Sequence, residues 1–307
     1  MRRLNLRVLP DDAGRRIDRF IAERGGISRG VARRALEAGG VFLDGRRCKV
    51  ASRGLHPGQE VVVNLEEGGR GALPAAPLSR ERVLFLDEAL VAVDKPAGVP
   101  AQPTLTSDRG ALPELVAALL GRGVTVVHRL DRETSGATVL ARTPEAAAAL
   151  AEAFRAGAAE KIYLALTARA PSPPEGRIDA PLSKDPARPG LRRVFPGGEP
   201  AATRYRTLAQ GEGGALVEAR PETGRTHQIR VHLAHLGAPL LGDARYGGPR
   251  RVLELEVPRV MLHARRLSLA HPATGAVLSL EAPVPEDFRA VAEAVAGAEA
   301  LAALAAG

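Results

Sequence analysis

Short apolar runs separated by charged or glycine-containing turns predict β-strands through most of the chain. Two longer segments predict helices, at 113–120 and 144–157, and Pro144 takes the first-turn position that proline favours. The alanine-rich stretch from residue 285 onward predicts a further helix, which is expected to fray and is assigned no function. The strands predicted from the apolar runs are 83–86, 90–93, 124–127, 137–141, 161–166 and 202–207.

The first part of the chain has a different pattern, two helices followed by a hairpin. Apolar residues at three helically spaced positions predict a first helix, which Gly25-Gly26 ends. Ser28 is placed to cap a second helix over 29–38. Strands at 41–43 and 60–63 complete this compact unit.

Positive charge is concentrated in this first unit. The chain has a formal net charge of +8 and a pI near 10.4, which favours polyanionic partners, nucleic acid first. Residues 13–63 hold eleven Lys and Arg against five Asp and Glu, so they carry +6 of that total. Arg29 and Arg33 lie four apart and share a helix face, with Arg34 beside them. This face suits contact with a phosphate backbone, and a solvated face without a partner is the alternative.

Composition limits the cellular compartments and the kinds of metal or disulfide site that are compatible with the chain. Cys48 is the only cysteine, which excludes an intrachain disulfide and a cysteine-based zinc cluster and favours a reducing compartment. His227 and His232 are five apart with no carboxylate or thiolate ligand nearby, which argues against a metal site. The first residues lack an apolar segment of signal-peptide length, and no window approaches the roughly 18–20 apolar residues of a membrane span. The sequence therefore predicts a cytoplasmic protein without membrane contact.

The densest group of charged residues is the stretch from His128 to Gly136, which lies between two predicted strands. Within it, Asp131 has arginines at 129 and 132, whose charges are expected to keep it ionised and lower its pKa. An ionised carboxylate suits a nucleophilic or electrostatic role better than that of a general acid. From the residues alone, a solvated turn with a local ion pair is the more common use of such a stretch.

The order His-Arg-Leu-Asp-x-x-Thr-Ser-Gly in this stretch resembles the catalytic motif of the RluA-type pseudouridine synthases. Other segments agree in order along the chain. Residues 94–100 resemble the first family motif, in which Lys-Pro-x-Gly supports the active-site loop, and 223–233 resemble Gly-Arg-Thr-His-Gln-Ile-Arg-x-His. The usual Pro-Leu-Leu-Gly-Asp at 239–243 and Tyr246-Gly247 follow. One departure is Gln102-Pro103, where the family commonly has a histidine before a proline, and this position is interpreted as non-catalytic.

The first unit resembles the alpha-L RNA-binding motif, which a ribosomal small-subunit protein shares with several RNA-modifying enzymes. The similarity covers about fifty residues, from Arg-Ile-Asp-x-Phe-Ile through Ile-Ser-Arg and Gly-Gly-Val-Phe-Leu-Asp-Gly to Leu-x-Pro-Gly-Gln-Glu-Val. Asp44-Gly45 stands where the motif usually has Asn-Gly and serves the same hairpin geometry.

The two resemblances together imply an α+β protein. They imply a pseudouridine synthase fold with a long mixed, mostly antiparallel sheet and a central cleft, preceded by a small α+β RNA-binding domain. The implied boundaries are 1–65 for the RNA-binding domain, 66–80 for a linker and 81–307 for the catalytic domain. The implied activity is the isomerisation of specific uridines to pseudouridine in large-subunit ribosomal RNA or its assembly precursor, by a monomer that needs no cofactor and no metal.

The resemblance also implies residue roles. Asp131 is the essential carboxylate acting on a flipped-out uridine, Arg230 is its ion-pair partner, and Tyr163 stacks on the base and can transfer a proton. Arg129 is expected to assist flipping or to contact phosphate. The other residues predicted to bind RNA are Arg29, Arg33, Arg34, Lys161, Arg225 and His227.

Two other functions stay open at this point. A non-catalytic RNA-binding or ribosome-assembly factor would use the same scaffold without chemistry, although intact Asp131, Tyr163 and Arg230 argue against it. A hydrolase would use Ser135, His128 and Asp131, although the sequence has no nucleophile elbow.

Overall fold

The structure is a computed structural model that describes residues 2–65 and 76–306. Most of the predicted linker at 66–80 therefore lies outside the described residues, because 66–75 are not among them. Within the described ranges, no helix is both long enough and apolar enough to cross a membrane.

Contacts between residues divide the chain into two units. The first comprises Met1–Leu78 and Gln102–Arg122, and the second comprises Ser79–Ala101 and Gly123–Gly307. The stretch 102–122, which the sequence-based boundary assigns to the catalytic domain, thus packs with the N-terminal residues.

Two side chains of the N-terminal hairpin bind this returning stretch. Arg47 Nη2 donates a hydrogen bond to the carbonyl oxygen of Thr104 at 2.7 Å. Lys49 Nζ lies 2.7 Å from Asp108 Oδ1. Arg47 and Lys49 of the first unit thus bind a carbonyl and a carboxylate of this stretch. These contacts explain why the stretch belongs to the first unit and not to the larger sheet.

The first unit combines short strands with helices. Its elements are β1 (Arg2–Arg7), α1 (Ile17–Gly25), α2 (Arg29–Ala38), β2 (Val41–Leu43), β3 (Arg46–Arg47), β4 (Glu60–Leu65) and α3 (Leu112–Leu120).

The strands form an antiparallel sheet in the order β1-β4-β2-β3. Ile17, Phe20 and Leu36 from α1 and α2 are fully buried in the core of this unit. The predicted helix boundaries are confirmed: Ser28 Oγ accepts the Val31 N–H at 3.3 Å, and Gly26 ends α1 with a φ of 61°. Local sequence signals therefore determine this unit closely.

The second unit is built on one large sheet with helices packed against it. Its helices are α4 (Pro144–Arg155), α5 (Gln228–His235) and α6 (Glu286–Ala306). Its strands are β5 (Val83–Leu86), β6 (Leu90–Lys95), β7 (Thr125–Val126), β8 (Ser135–Ala141), β9 (Glu160–Thr167), β10 (Glu175–Asp179), β11 (Leu182–Lys184), β12 (Arg192–Val194), β13 (Ala202–Gly211), β14 (Gly214–Pro221), β15 (Arg251–Val252), β16 (Leu255–Glu256), β17 (Leu262–Ala270) and β18 (Val277–Glu281).

The large sheet has the order β10-β13-β14-β9-β17-β8-β6-β5, with β18 paired to β17 and β7 paired to β8. Its neighbouring strands are antiparallel except for β17 and β8, which run parallel. The prediction of a mixed, mostly antiparallel sheet is thereby confirmed. The strands β9, β17 and β8 occupy its middle, so the loops that follow or precede them lie near the centre of the sheet.

The C-terminal helix differs from its prediction. Helix α6 does not fray but packs on β13 and β14, with Phe288, Val291 and Leu304 buried in the core. The backbone leaves helical geometry at Ala296 and Gly297, which bends the helix. Gly211 of β13 lets the helix approach the sheet closely, because a Cβ there would lie 2.4 Å from the Val295 carbonyl oxygen.

Candidate active site

Asp131 lies in the loop between β7 and β8, near the middle of the large sheet. These strands pair antiparallel through Thr125 with Ala141 and Val126 with Leu140, as the two apolar runs predicted. Strand β8 is buried along its whole length, whereas the Asp131 side chain remains 20% exposed. A rigid strand therefore anchors a loop that presents a carboxylate to solvent.

Gly136, the last residue of the motif, lies so close to the neighbouring strand that a side chain does not fit. Its φ is 117°, and a Cβ at this position would lie 2.2 Å from the carbonyl oxygen of Ala264. The close approach occurs where β8 and β17 run parallel, with Ala264 opposite Gly136. No residue with a side chain fits there without moving the backbone that carries Asp131.

Lys95 is fully buried and binds the backbone of the Asp131 loop. Its ammonium donates to three main-chain carbonyls, those of Pro96, Val99 and Arg132, at 2.9, 2.8 and 3.2 Å. Burial lowers the pKa of Lys95 to about 7, while the three acceptors match the three N–H groups of its charged form. The Gly98 N–H also donates to the Arg132 carbonyl, at 2.8 Å. The Lys-Pro-x-Gly segment thus supports the loop, as the resemblance implied.

Arg230, in the first turn of α5, binds two carboxylates at once. Its Nη1 donates to Asp131 Oδ2 at 3.1 Å, while Nε and Nη2 donate to the two oxygens of Asp243 at 2.6 and 2.9 Å. Asp243 is only 1% exposed. Burial disfavours the charge of Arg230, but Asp243 and Asp131 outweigh this effect and raise its pKa above the ordinary value. Asp243 therefore fixes a permanently charged group that presents one N–H to Asp131.

The arginines next to Asp131 in the sequence have other partners. Arg129 Nη2 donates to Thr226 Oγ1 at 2.8 Å, and Arg132 Nε donates to the Gly98 carbonyl at 2.9 Å. The expectation of a local ion pair with these two arginines is therefore corrected. The hydrogen-bonded cation at Asp131 is Arg230, 99 positions further along the chain.

Tyr163 and Lys161 lie on the same face of β9, as alternation along a strand predicts. Burial raises the pKa of the Tyr163 phenol, and the charge of Asp131 raises it further. The phenol therefore stays protonated. Burial lowers the pKa of Lys161, whose ammonium has no hydrogen-bond or ion-pair partner among the described residues.

His227 precedes α5 and faces Asp131. Its Nε2 lies 4.0 Å from Asp131 Oδ2, and its Nδ1 lies 2.7 Å from the Tyr246 hydroxyl. The backbone of His227 is left-handed, with φ 60° and ψ 17°. Burial lowers the pKa of its imidazole.

Arg225 and His232, which also belong to the segment 223–233, have mainly structural contacts. Arg225 Nε donates to the carbonyl of Pro200 at 3.0 Å, and its guanidinium also lies 3.3 Å from Glu199. His232 is fully buried and uses both ring nitrogens, at 2.8 Å from Thr203 Oγ1 and 2.9 Å from the Ala180 carbonyl.

The hydrolase hypothesis is not supported by the geometry. His128 Nε2 accepts the main-chain N–H of Val139 at 3.0 Å, and its ring stacks on Phe154. Burial lowers the pKa of His128 to about 3, so it remains neutral. Ser135 is buried and lies 3.0 Å from His263 Nδ1 instead. No relay of Ser135, His128 and Asp131 exists.

The basic residues of α2 have two different environments in the first unit. Arg29 donates twice to Oδ2 of the fully buried Asp18, at 3.0 and 2.9 Å. Arg33 and Arg34 are exposed and have no side-chain partner among the described residues. Of the basic face predicted from their spacing, Arg29 therefore binds another residue of the protein, whereas Arg33 and Arg34 remain accessible.

Two residues important to this site were not among the predicted ones. Asp243 clamps Arg230, and Tyr246 binds His227. The sequence signal for these two residues was the Gly-Asp-x-x-Tyr-Gly pattern. It agreed with the family motif but did not indicate which residues Asp243 and Tyr246 contact. Only the fold shows that the 3-10 turn Ala244–Tyr246 contacts α5.

Comparisons with known proteins agree with this fold and site. A family profile described as RNA pseudouridylate synthase matches residues 89–235, and a profile described as S4 domain matches residues 15–61. An uncharacterized RNA pseudouridine synthase of Chloroflexus aurantiacus is 40% identical over 295 residues, 92% of this chain and 91% of that protein. A protein of Xanthomonas campestris pv. campestris named ribosomal large subunit pseudouridine synthase D is 37% identical, over 94% of this chain and 91% of its own.

A solved structure of human RNA pseudouridylate synthase domain containing 4 has a TM-score of 0.57 at 30% identity, covering 73% of this chain and 93% of that one. The chain belongs to the RluA-type RNA pseudouridine synthase family and carries an N-terminal S4 RNA-binding domain. It is therefore an isomerase whose substrate is RNA, and the prediction of an enzyme rather than a non-catalytic binding factor is confirmed.

Proposed function

We propose that this protein isomerises specific uridines of large-subunit ribosomal RNA to pseudouridine, with Asp131 as the reacting carboxylate. The observation that carries the proposal is the partly exposed Asp131 carboxylate, hydrogen-bonded to an Arg230 that Asp243 clamps from the other side. The choice of RNA is supported by two relatives named ribosomal large subunit pseudouridine synthase D, one from Xanthomonas campestris and one from Pseudomonas aeruginosa.

The reaction suits these groups. The bond between C1′ of the ribose and N1 of uracil breaks, the base rotates, and C1′ joins C5, while C5 loses a proton and N1 gains one. A carboxylate beside the sugar can act as nucleophile or base, and Arg230 orients it. The uridine must leave its stack to reach Asp131. The ring of Tyr163 offers a surface for the flipped base, and its hydroxyl, which keeps its proton, offers a hydrogen bond.

RNA contacts are proposed at two places. Near Asp131, Arg129 and Lys161 contact phosphate or the displaced strand, and the unpartnered ammonium of Lys161 supports this role. Arg225 and His227 are assigned to the same RNA-facing region. In the S4 domain, the exposed Arg33 and Arg34 contact the phosphate backbone, and Arg29 contributes charge next to them.

Chemical mapping of pseudouridine tests reaction and substrate together. Ribosomal and transfer RNA from a strain lacking the gene is compared with RNA from its parent, and the strain is complemented with the wild-type gene. The loss of one or a few sites in large-subunit RNA, restored by the gene, is the expected result. Losses confined to transfer RNA would refute the proposed substrate, and no loss in any RNA would refute the proposed reaction on these RNAs.

The Asp131→Asn variant tests the role of the carboxylate. It keeps the shape of the side chain but removes its charge, so turnover is expected to fall by at least about 10³-fold while RNA binding changes little. Single-turnover assays and filter binding measure the two quantities. Asp179→Asn, at an exposed aspartate paired with Arg177, is the matched control and should be fully active. Wild-type turnover by Asp131→Asn would refute the assignment.

A further inference from the structure

A chain of hydrogen-bonding groups leads from the main chain of β12 to the Asp131 carboxylate. The Arg192 N–H donates to the Tyr246 hydroxyl oxygen at 2.9 Å. The same oxygen lies 2.7 Å from His227 Nδ1, and His227 Nε2 lies 4.0 Å from Asp131 Oδ2. The three links come from β12, the turn before Gly247 and the start of α5, which are far apart in sequence.

Donor and acceptor roles along this chain follow from its fixed end. A main-chain N–H can only donate, so the Tyr246 oxygen accepts from Arg192. Among the described residues, the acceptor within reach of the Tyr246 hydroxyl hydrogen is His227 Nδ1, at 2.7 Å, so the hydrogen is directed there. An Nδ1 that accepts leaves the proton of the neutral imidazole on Nε2. The carboxylate of Asp131 favours the same tautomer, because an N–H facing it is attracted and a lone pair is repelled. The hydrogen bond from Tyr246 therefore sets the tautomer of His227, and Asp131, at 4.0 Å, only reinforces it.

The backbone of His227 supports a functional interpretation. Its left-handed conformation, φ 60° and ψ 17°, is uncommon for a residue with a side chain and costs on the order of 1 kcal/mol or more. The imidazole of this residue lies between Tyr246 and Asp131. Strain of this kind persists where the surrounding contacts hold it.

We propose that Tyr246, oriented by the Arg192 N–H, is a positioning residue that holds His227 in the Nε2–H tautomer facing Asp131, and that this contact orients the carboxylate for the reaction. The inference rests on the proposed role of Asp131. Arg230 and His227 then approach the carboxylate as two donors held by separate supports, Asp243 and Tyr246.

The tautomer is measured without any assay of activity. Protein labelled with 15N in its histidines is examined by two-bond 1H–15N correlation, and the His227 signals are assigned by their loss in His227→Gln. We expect the Nε2–H pattern in the wild type and in Asp131→Asn, because Tyr246 alone suffices to fix it. In Tyr246→Phe, which keeps the ring that lies 5.1 Å from the Arg230 guanidinium, we expect the pattern to shift towards a tautomer mixture.

Kinetics provide the second readout. Tyr246→Phe is expected to lower kcat by about tenfold to a hundredfold with less than about a twofold change in KM, because orientation is lost and binding surface is kept. Tyr205→Phe is the matched control, since it also loses one hydrogen bond to the main chain, from its hydroxyl to the Pro173 carbonyl, and should change neither readout. His227→Gln, which can place an amide N–H where Nε2 stood, should retain several-fold more kcat than His227→Ala.

The outcomes separate this inference from the proposed function. An Nδ1–H pattern in the wild type, or Tyr246→Phe with unchanged kcat, would overturn the inference whatever Asp131→Asn does. Equal kcat for His227→Gln and His227→Ala would overturn it as well. Full activity of Asp131→Asn would instead overturn the proposed function, while the tautomer signals would remain as expected.

Discussion

At the residue scale, the fold supplies Asp131 with a hydrogen-bond donor that its neighbours in the sequence do not provide. Its flanking arginines bind Thr226 and Gly98, whereas its hydrogen-bond donor Arg230 comes from the start of α5. Side chains next to each other in an extended loop point in different directions, so proximity in sequence is a weak guide to ion pairing. Arg230 is also the residue that the resemblance pairs with Asp131, and its hydrogen bonds to Asp243 hold it in place there.

Gly136→Ala tests the close approach of β17 to the motif. A Cβ would meet the Ala264 carbonyl at 2.2 Å and would also be strained at a φ of 117°, so we expect a loss of at least about 2 kcal/mol of unfolding free energy. Urea unfolding measures the loss, and turnover should fall because the Asp131 loop must move.

Gly123→Ala is the control for that substitution. Gly123 lies just before β7, and nothing lies within 4 Å of a Cβ built there. This variant should keep wild-type stability. Equal stability of the two variants would contradict the packing argument.

At the element scale, α2 shows how one helix combines packing with recognition. Its buried face carries Ala32, Ala35 and Leu36, and its first turn reaches Asp18 of α1 through Arg29. Burial alone would raise the pKa of Asp18, but Arg16 and Arg29 outweigh it and lower the pKa to about 2. The carboxylate therefore stays charged and fastens α1 to α2.

Substitutions along α2 separate these two roles. Arg29→Gln is expected to lower the unfolding free energy by about 1–2 kcal/mol, a discounted value because Arg29 is 45% exposed and Arg16 still pairs with Asp18. The double variant Arg33→Gln/Arg34→Gln should leave stability unchanged and reduce the slope of log Kd against log salt by about 1 to 2.

The control for the salt slope removes two other exposed arginines. Arg155 and Arg251 each pair with an acidic residue three positions away, Glu152 and Glu254. Their double substitution by Gln should leave the slope nearly unchanged. A salt slope that responds equally to both double variants would mean that total charge, rather than the α2 face, governs RNA binding.

At the scale of the whole molecule, buried histidines make stability depend on pH. Burial lowers the pKa of His128 to about 3 and that of His263 to about 4, and it also lowers the pKa of His232. Below an ordinary histidine pKa of about 6.5, the unfolded chain binds protons that the folded protein does not. Stability is therefore full above that pH and is lost as the pH falls towards the folded values.

The expected size of this effect is up to about 1.4 kcal/mol per pH unit for each such histidine. Denaturant unfolding at pH 7.5, 6.5 and 5.5 measures the slope. His263→Gln should reduce the slope because a group with a lowered pKa is removed. A stability that is flat from pH 7.5 to 5.5 would contradict the neutral, buried state of these histidines.

The sequence by itself determined much of the local structure. Helices α1 and α2 begin and end where the apolar spacing, Ser28 and the glycines predicted, because capping and periodicity act over a few residues. The motifs around Asp131 and Arg230 were sufficient to predict the family, and with it a mixed, mostly antiparallel sheet.

Only the tertiary structure decided which residues meet. It placed Asp243 on Arg230, Tyr246 on His227 and the backbone of β17 against Gly136, contacts between segments that share no local pattern. It also buried α6, whose alanine-rich sequence gave no sign of a packed face. Local patterns specify dihedral angles and exposed faces, whereas the partners of buried polar groups depend on how distant strands and helices pack, which periodicity does not encode.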